Sequence, residues 1–477
     1  MNIDNESIAR ILSQFDGLSL GDPRRERRVL DIVSKLAVAP TASIPTAMSS
    51  EAALEGAYRA LNSEHVTFDS LMAPQFAQTA AVAREAKRVL VVHDTTTCTS
   101  AHSDAEEIGY LPTGRAGFFA HFALTLDGTS WRRPLGLIQA ETYARNKKPS
   151  IGKKARPRRK MSGTETSKQE ARESSRWERG IELAEERLTG VRVKHIADRE
   201  ADSYALLASL IKRGREFIIR LKHDRRCKDE RGTSMSVKTL VRLAEGVLER
   251  TVPLSRREGH KLARRNKDYP PRDARVARLI FSASRATLKA PPYLRATHAH
   301  EIELNLVHVF EPNPPPNEEA VEWFLYTTDP LNTAEEIALV VDDYRARWTI
   351  EEFNKALKTG CAYEERQFES AHALLNVLAI TIPIAIELLA LRSLARIDSE
   401  APASLVLSSE QTTLLRALYP RLPIAPTVNE ALLAIAGIVG HRKSNGFPGW
   451  QILYRGMSKL YNAELGWRAA RTLEAKM

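Results

Sequence analysis

The sequence predicts a mixed α/β fold, in which a mixed sheet carries helices on its faces and helical regions flank it on both sides. Short apolar runs at 88–96 and 191–200 alternate with helical patterns, and a β-prone stretch fills about 227–321. Helical periodicity dominates residues 5–80 and the chain after residue 334. Hydrophobic residues form 43% of the chain, which is enough to bury real cores and excludes a disordered protein.

Residues 1–80 are predicted to form a small helical domain that binds DNA. In the segment GDPRRERRVLDIVSKLA, Asp22 fits an N-cap and Pro23 the first helical position. The apolar residues of this helix share one face, and four arginines lie opposite: Arg24, Arg25, Arg27 and Arg28. An arginine face of this kind suits a DNA groove, although an ordinary amphipathic bundle would show the same pattern.

The α/β region is predicted over residues 81–372. Its strands are expected at 88–96, 118–126, 134–143, 191–200 and 216–222, with helices at about 174–188 and 201–212. A β-rich insertion, expected to be all-β, follows at about 227–321. Two of the strands end in an acid, Asp94 and Asp198. Because catalytic groups favour the carboxyl edge of such sheets, these two acids are candidates for chemistry, although a single acid there is often only a helix cap.

Residues 373–477 are predicted to form a C-terminal helical domain. Its first segment, at 373–391, is long and apolar enough to suggest a membrane span. It contains Asn376, Pro383 and Glu387, and the sequence has no second segment of this kind. We therefore interpret it as a buried helix interrupted by proline.

The three cysteines, Cys98, Cys227 and Cys361, are scattered and form no CxxC pair. A disulfide scaffold and a structural zinc site are therefore not expected. The N-terminus lacks the basic-then-apolar order of a signal peptide. These features predict a cytoplasmic protein.

Positive charge is concentrated in separate clusters. The chain has 70 Lys+Arg against 59 Asp+Glu, a formal charge of +11. Besides the arginine helix, basic stretches run over 143–160 and 255–275. Separated basic clusters suit a long polyanion, since each phosphate contact releases counterions, whereas any one cluster alone could be a solvated loop.

A helix predicted from about 334 to 359 carries a third candidate acid. Tyr344, Arg347, Glu351, Lys355 and Lys358 follow spacings of 3, 4, 4 and 3, so they would share one polar face. A solvent face with ion pairs would explain part of this pattern. Two Asp and one Glu around divalent cations are, however, what phosphodiester chemistry requires, because a cation relieves the repulsion among them.

These residues resemble the bacterial DDE cut-and-paste transposases of the insertion-sequence type, and most closely the transposon-five transposase. The motif DTT at 94–96 is similar to the first acid motif of that family, and DREAD at 198–202 to the second. Tyr344, Arg347, Glu351 and Lys358 fit its Y-x2-R-x3-E-x6-K signature. The resemblance covers nearly the whole chain. It implies an RNase H-like catalytic core and a role in dimerisation for the C-terminal domain at 373–477.

The resemblance also implies a role for each matched residue. The acids Asp94, Asp198 and Glu351 would hold two Mg²⁺ ions, for which Mn²⁺ could substitute. Phosphates near the cleaved strand would be gripped by Tyr344, Arg347 and Lys358, with Arg220 and Lys222 as further contacts. Trp323 would stack on a base flipped out during hairpin formation, although a plain core position explains it equally well.

The implied activity is transposition: cleavage at transposon ends, hairpin formation and opening, and joining of 3′-hydroxyl ends to target DNA by a homodimer. Two rival interpretations remain open. An RNase H-like structure-selective nuclease would share the three acids without making hairpins. A non-catalytic DNA-binding regulator derived from a transposase would have no need of intact acids.

Overall fold

The computed structural model describes residues 6–100, 108–129, 132–145, 163–257 and 270–474. Much of the two basic stretches at 143–160 and 255–275 lies outside the described residues. The helices of the described ranges are α1 (Glu6–Ser13), α2 (Pro23–Val38), α3 (Ile44–Ala47), α4 (Glu51–Leu61), α5 (Phe68–Glu85), α6 (Gly163–Arg187), α7 (Tyr204–Lys212), α8 (Val237–Arg242), α9 (Ala334–Arg345), α10 (Trp348–Lys355), α11 (Ala371–Ile397), α12 (Ser409–Leu418), α13 (Val428–Gly437) and α14 (Trp450–Glu474). The strands are β1 (Arg88–Thr99), β2 (Gly117–Asp127), β3 (Pro134–Tyr143), β4 (Arg192–Ala197), β5 (Glu216–Arg220), β6 (Arg226–Lys228), β7 (Ser234–Ser236), β8 (Gly246–Leu254), β9 (Arg275–Lys289), β10 (Glu301–Phe310) and β11 (Glu322–Thr327).

The N-terminal helices begin where their caps predict. The side chain of Asp22 accepts a hydrogen bond from the Arg24 amide at 2.8 Å, and α2 starts at Pro23. Ser50 caps α4 in the same way. The predicted apolar face of α2 is confirmed, since its inner residues are buried: Val29, Ile32, Val33, Leu36 and Ala37.

One mixed sheet runs through the described part of the chain, in the order β3-β2-β1-β4-β5-β11-β10-β9-β6-β7, with β8 paired to β9. β1 is antiparallel to β2 and parallel to β4, and β4 is parallel to β5. Parallel neighbours need a crossover connection, which α7 supplies between β4 and β5. The predicted mixed sheet with helices on its faces is confirmed.

The β-rich insertion extends this sheet instead of forming a separate one. β11 pairs with β5 on one side and with β10 on the other, so the inserted strands continue the central strands. The insertion also contains the short helix α8, and the expectation of an all-β segment was wrong in that respect. Sequence patterning could not show this continuity, because the hydrogen-bond partners of a strand are remote in the chain.

The helix predicted from 334 to 359 is broken in two. α9 ends at Arg345 and α10 begins at Trp348, and hydrogen bonds of the i→i−3 type close the turn between them. After Lys355 the chain makes one π-helical turn over Ala356–Gly360. The expectation of one continuous helix over 334–359 was therefore wrong, and tight and wide turns of this kind are frequent at functional sites.

The apolar segment near residue 380 is a core helix. α11 has 27 residues and is long and apolar enough to cross a membrane, but 78% of its most apolar window is buried inside the protein. The Asn376 side chain donates hydrogen bonds to the carbonyl oxygens of Leu61 and Val66 at 2.9 and 2.6 Å. Glu387 accepts a hydrogen bond from Arg10 at 2.9 Å. The interpretation of a buried helix is confirmed, and the helix packs against the N-terminal helices. The expected interruption was wrong, because the helix continues through Pro383 from Ala371 to Ile397.

Candidate active site

The parallel strands β1 and β4 bring the two candidate aspartates together. Their pairing places His93 opposite Ala197, and Asp94 and Asp198 are the next residues of the two strands. The two acids therefore occupy equivalent positions, side by side, just beyond the last paired residues of the neighbouring strands β1 and β4. β1 continues to Thr99 in its pairing with β2, so Asp94 marks the end of the parallel pairing and not the end of its strand.

Helix α10 brings Glu351 to the same edge of the sheet. Asn354, on the same helix, donates a hydrogen bond from its Nδ2 to Asp94 Oδ2 at 3.1 Å, which joins the helix to β1. Glu351 accepts a hydrogen bond from Arg347 Nη2 at 2.5 Å, and its side chain is 31% exposed. The charge of Glu351 raises the pKa of Asp94, as expected of neighbouring carboxylates.

The electrostatic environment of Asp94 is unusual for a carboxylate. Burial raises its pKa from 3.8 to about 7, and the charges of Asp198, Glu351 and Glu200 add to the rise while Arg347 opposes it. Without a cation, Asp94 is thus partly protonated near neutral pH. Clusters of acids with shifted pKa values are typical of functional sites.

Exchanging Asp94 for asparagine should stabilise the protein in the presence of a chelator. Because the folded-state pKa lies above the unfolded value, wild-type stability is lost as the pH rises from about 4 to 7, at about 1.4 kcal/mol per pH unit. We expect Asp94→Asn to gain about 2–4 kcal/mol at pH 8, as an order of magnitude. At pH 4 the gain should vanish, because the carboxyl is then protonated in the folded protein. Urea unfolding in EDTA at both pH values measures it, and an equal effect at the two pH values would contradict the assignment.

The three acids are neighbours, yet they do not form a closed ligand set. Among the described residues, no three His, Cys, Asp or Glu side chains are grouped as a metal site requires. Each acid has a different partner: Asp94 contacts Asn354, Asp198 accepts the Glu200 amide at 2.8 Å, and Glu351 contacts Arg347. Their mutual repulsion and their hard oxygen donors nevertheless fit a divalent cation such as Mg²⁺.

A second group of predicted residues lies beside the acids. Burial raises the pKa of Tyr344, and the nearby charges of Arg347 and Arg220 oppose that rise, which places Arg220, at the end of β5, close to the Tyr344 hydroxyl. The ring of Trp323 meets that of Tyr344 edge to face, with centroids 5.6 Å apart, and the Arg220 guanidinium lies 5.8 Å from the Trp323 ring centroid. Besides the effect of burial, the charge of Asp198 raises the pKa values of both Tyr344 and Arg347. This group of residues therefore lies next to the acids. Trp323 is half-buried and packs against the main core, so its exposed part alone could meet a base.

Lys358 reaches the strand of the first acid. Its Nζ contacts Thr96 Oγ1 at 2.8 Å and the Thr97 carbonyl oxygen at 2.5 Å. Although the helix is broken, the π-helical turn that carries Lys358 still directs it to the segment after Asp94. The Lys358 ammonium group is thereby held beside the segment that follows Asp94.

Lys222 lies on a loop that is held by Asp202, the last acid of DREAD. Asp202 is buried and accepts hydrogen bonds from the amides of Lys222 and His223 at 2.5 and 2.8 Å, and it also pairs with Arg225. The side chain of Lys222 is exposed. Asp202 therefore shapes the loop that presents Lys222 to solvent, a role that sequence reasoning missed.

The arginine face of α2 divides into two pairs. Arg24 and Arg27 are exposed, whereas Arg25 and Arg28 are half-buried. Arg25 donates a hydrogen bond to the Leu20 carbonyl. Arg28 lies over Gly56 of α4, where an added Cβ would come within 2.8 Å of its Cζ atom. Arg24 and Arg27 are therefore the pair presented to a partner, while the other two hold the domain together.

Asn354 was also missed by sequence reasoning. Its signal was present, because it follows Glu351 by three residues and so shares a helical face with it. An asparagine on a helix indicates no function until its hydrogen-bond partner is known. The partner here, Asp94, is 260 residues away in the chain.

Comparison with known proteins finds two matching families. Residues 11–66 match the family described as transposase DNA-binding, and residues 179–382 match the family described as transposase DDE domain. The chain is also similar to the piggyBac transposase in a cryo-EM structure of its synaptic complex with hairpin DNA. That likeness has a TM-score of 0.38 and 11% identity, and it covers 96% of this chain and 83% of the other. This structural similarity is too low to indicate a function, whereas the two family matches do so.

Proposed function

We propose that this protein, which is a DDE-type transposase with a transposase DNA-binding domain ahead of its RNase H-like DDE domain, transposes DNA by cut and paste. Its motifs resemble those of the transposon-five transposase. The observation that supports the mechanism is the parallel pairing of β1 with β4, which sets Asp94 beside Asp198 at the edge where α10 delivers Glu351. These three residues are the proposed catalytic acids.

The acids would bind two Mg²⁺ ions, with Mn²⁺ able to substitute. When bound, such ions activate an attacking water or 3′-hydroxyl and stabilise the leaving oxygen of an in-line displacement. Asp94, Asp198 and Glu351 would supply the protein ligands. Arg347, which pairs with Glu351 in this structure, would become available to DNA once Glu351 serves as a ligand.

Cationic and aromatic residues around the acids would hold the cleaved strand. Arg347 and Arg220 offer planar forks for phosphate, and Lys358 and Lys222 offer point charges. Tyr344 is buried, and its ring packs edge to face against Trp323, which the Arg220 guanidinium also approaches. The exposed part of Trp323 would stack on a flipped base, which costs the duplex only local unpairing.

The proposed reaction has four displacements at phosphorus. Water attacks to nick the transposon end, and the freed 3′-hydroxyl then attacks the opposite strand to form a hairpin. A second water opens the hairpin, and the 3′-hydroxyl finally joins target DNA. We propose that a homodimer holds two transposon ends during these steps, in the bacterial cytoplasm and at the nucleoid when DNA is bound.

The exposed arginines of α2 should carry part of the DNA affinity. Exchanging both Arg24 and Arg27 for alanine should lower the slope of log affinity against log salt by about two, since each lost phosphate contact removes about one counterion. Fluorescence anisotropy on an end-containing duplex measures the slope. Arg278→Ala is the matched control, because Arg278 is exposed, paired with Glu249 and far along the sheet. An unchanged slope in the double variant would contradict the proposed contact surface.

A product assay tests the function as a whole. The wild-type protein is incubated with Mg²⁺ and a duplex that carries the inverted repeat flanking its coding region, and the strands are resolved on a denaturing gel. Nicks, hairpins and joined target DNA support the transposase mechanism. Cleavage without hairpins or joining would favour a structure-selective nuclease. Binding without any cleavage would favour a DNA-binding regulator.

A further inference from the structure

Asn354 is joined to the first catalytic acid by a single hydrogen bond. It follows Glu351 by three residues, so both side chains leave α10 on one face. Its Nδ2 donates to Asp94 Oδ2 at 3.1 Å. Among the described residues, this is the only side-chain hydrogen bond to the Asp94 carboxylate. The bond ties the helix of one acid to the strand of another.

The other end of the same amide has no partner. The Asn354 Oδ1 atom is buried and accepts no hydrogen bond from any residue in the described part of the chain. Buried polar atoms of this kind are normally satisfied. Mg²⁺ bound by carboxylates retains several waters, and those waters are hydrogen-bond donors. The unsatisfied oxygen therefore suits a hydrated cation next to Asp94.

We propose that Asn354 is a positioning residue for the metal ligand Asp94. Its N–H holds Oδ2 of the carboxylate and leaves Oδ1 available to the cation, while its amide oxygen accepts a hydrogen bond from the water of that cation. This role rests on the proposed function, because it assumes that Asp94 binds a divalent metal. Residues that orient metal ligands typically contribute 10–100-fold to metal affinity or activity.

The test compares the Mn²⁺ affinity of Asn354→Ala with that of the wild type, by electron paramagnetic resonance on the full chain bound to end DNA. We expect an affinity about 10–100-fold weaker. The nicking rate should fall by a similar factor at limiting Mn²⁺ and recover at saturating Mn²⁺. Asn332→Ala is the matched control, since Asn332 is exposed in a loop and makes its hydrogen bond to Glu336 with the backbone amide, which alanine retains. That variant should keep wild-type affinity and rate.

A second variant separates positioning from folding. Asn354→Leu keeps nearly the same volume without the amide, and DNA binding in EDTA reports whether either variant is folded. Folded variants with weaker Mn²⁺ affinity support the role. If the wild type binds Mn²⁺ and both variants bind it equally well, the positioning role is overturned while the proposed function stands. If the wild type binds no Mn²⁺, the proposed function fails and this role fails with it.

Discussion

Asp198→Asn is expected to abolish DNA cleavage, with a rate lower by about a thousandfold or more, because metal-assisted displacement depends on the carboxylate charge. The variant should fold normally. Asp198 caps the following turn by accepting the Glu200 amide at 2.8 Å, and asparagine can make the same capping bond. Nicking and hairpin formation on an end-containing duplex with Mg²⁺ measure the loss.

The control for this variant is Asp273→Asn, which makes the same exchange at a residue whose side chain is 94% exposed. It should cleave DNA at the wild-type rate. DNA binding by Asp198→Asn in EDTA should equal that of the wild type, since Asp198 is not proposed to contact phosphate. Normal hairpin formation by Asp198→Asn would eliminate the assignment of the three acids.

Lys194→Met is expected to destabilise the protein by about 3–5 kcal/mol, the usual effect of breaking a buried ion pair. The side chain of Lys194 is 2% exposed and contacts Asp329 and Asp343 at 2.5 and 3.2 Å. Burial already raises the pKa of Asp329, although Lys194 lowers it, so without the lysine two carboxylates would share a buried site with less compensation. Urea unfolding at pH 7.5 measures the change.

This ion-pair network lies at the opposite end of β4 from Asp198 and anchors the signature helix. Asp343 also pairs with Arg88 and Arg132 and immediately precedes Tyr344, so the network ties α9 to the start of β1. Arg278→Met is the matched control, because its pair with Glu249 is exposed and should contribute less than about 1 kcal/mol. Equal stability of Lys194→Met and the wild type would contradict the anchoring role.

The elements that local chemistry specifies could be predicted well. The N-cap Asp22 with Pro23 marks the start of α2, and the apolar runs before Asp94 and Asp198 mark β1 and β4. Caps and apolar periodicity act over a few residues, so the sequence shows them directly. The prediction of a continuous helix over 334–359 was wrong. The break at 346–347 contains no proline or glycine, so the sequence gives no local signal for it.

The sequence also could not show which arginines of α2 contact other helices. Periodicity placed Arg24, Arg25, Arg27 and Arg28 on one side of a helix, and it could not show that Arg28 packs over Gly56 of another helix. Asn354 and Asp202 were missed for a related reason. Each acts through a partner that is remote in the chain, Asp94 for the former and the loop after β5 for the latter.

The residue types and spacings therefore settled the class of protein and the identity of the candidate acids, since a motif is read from neighbours in the chain. Whether those acids meet was decided by tertiary structure alone. Asp94, Asp198 and Glu351 are separated by more than a hundred residues at each step, and the pairing of β1 with β4 and the packing of α10 on β1 bring them to one edge. Hydrogen-bond register and helix packing are long-range properties, and they depend on the whole fold.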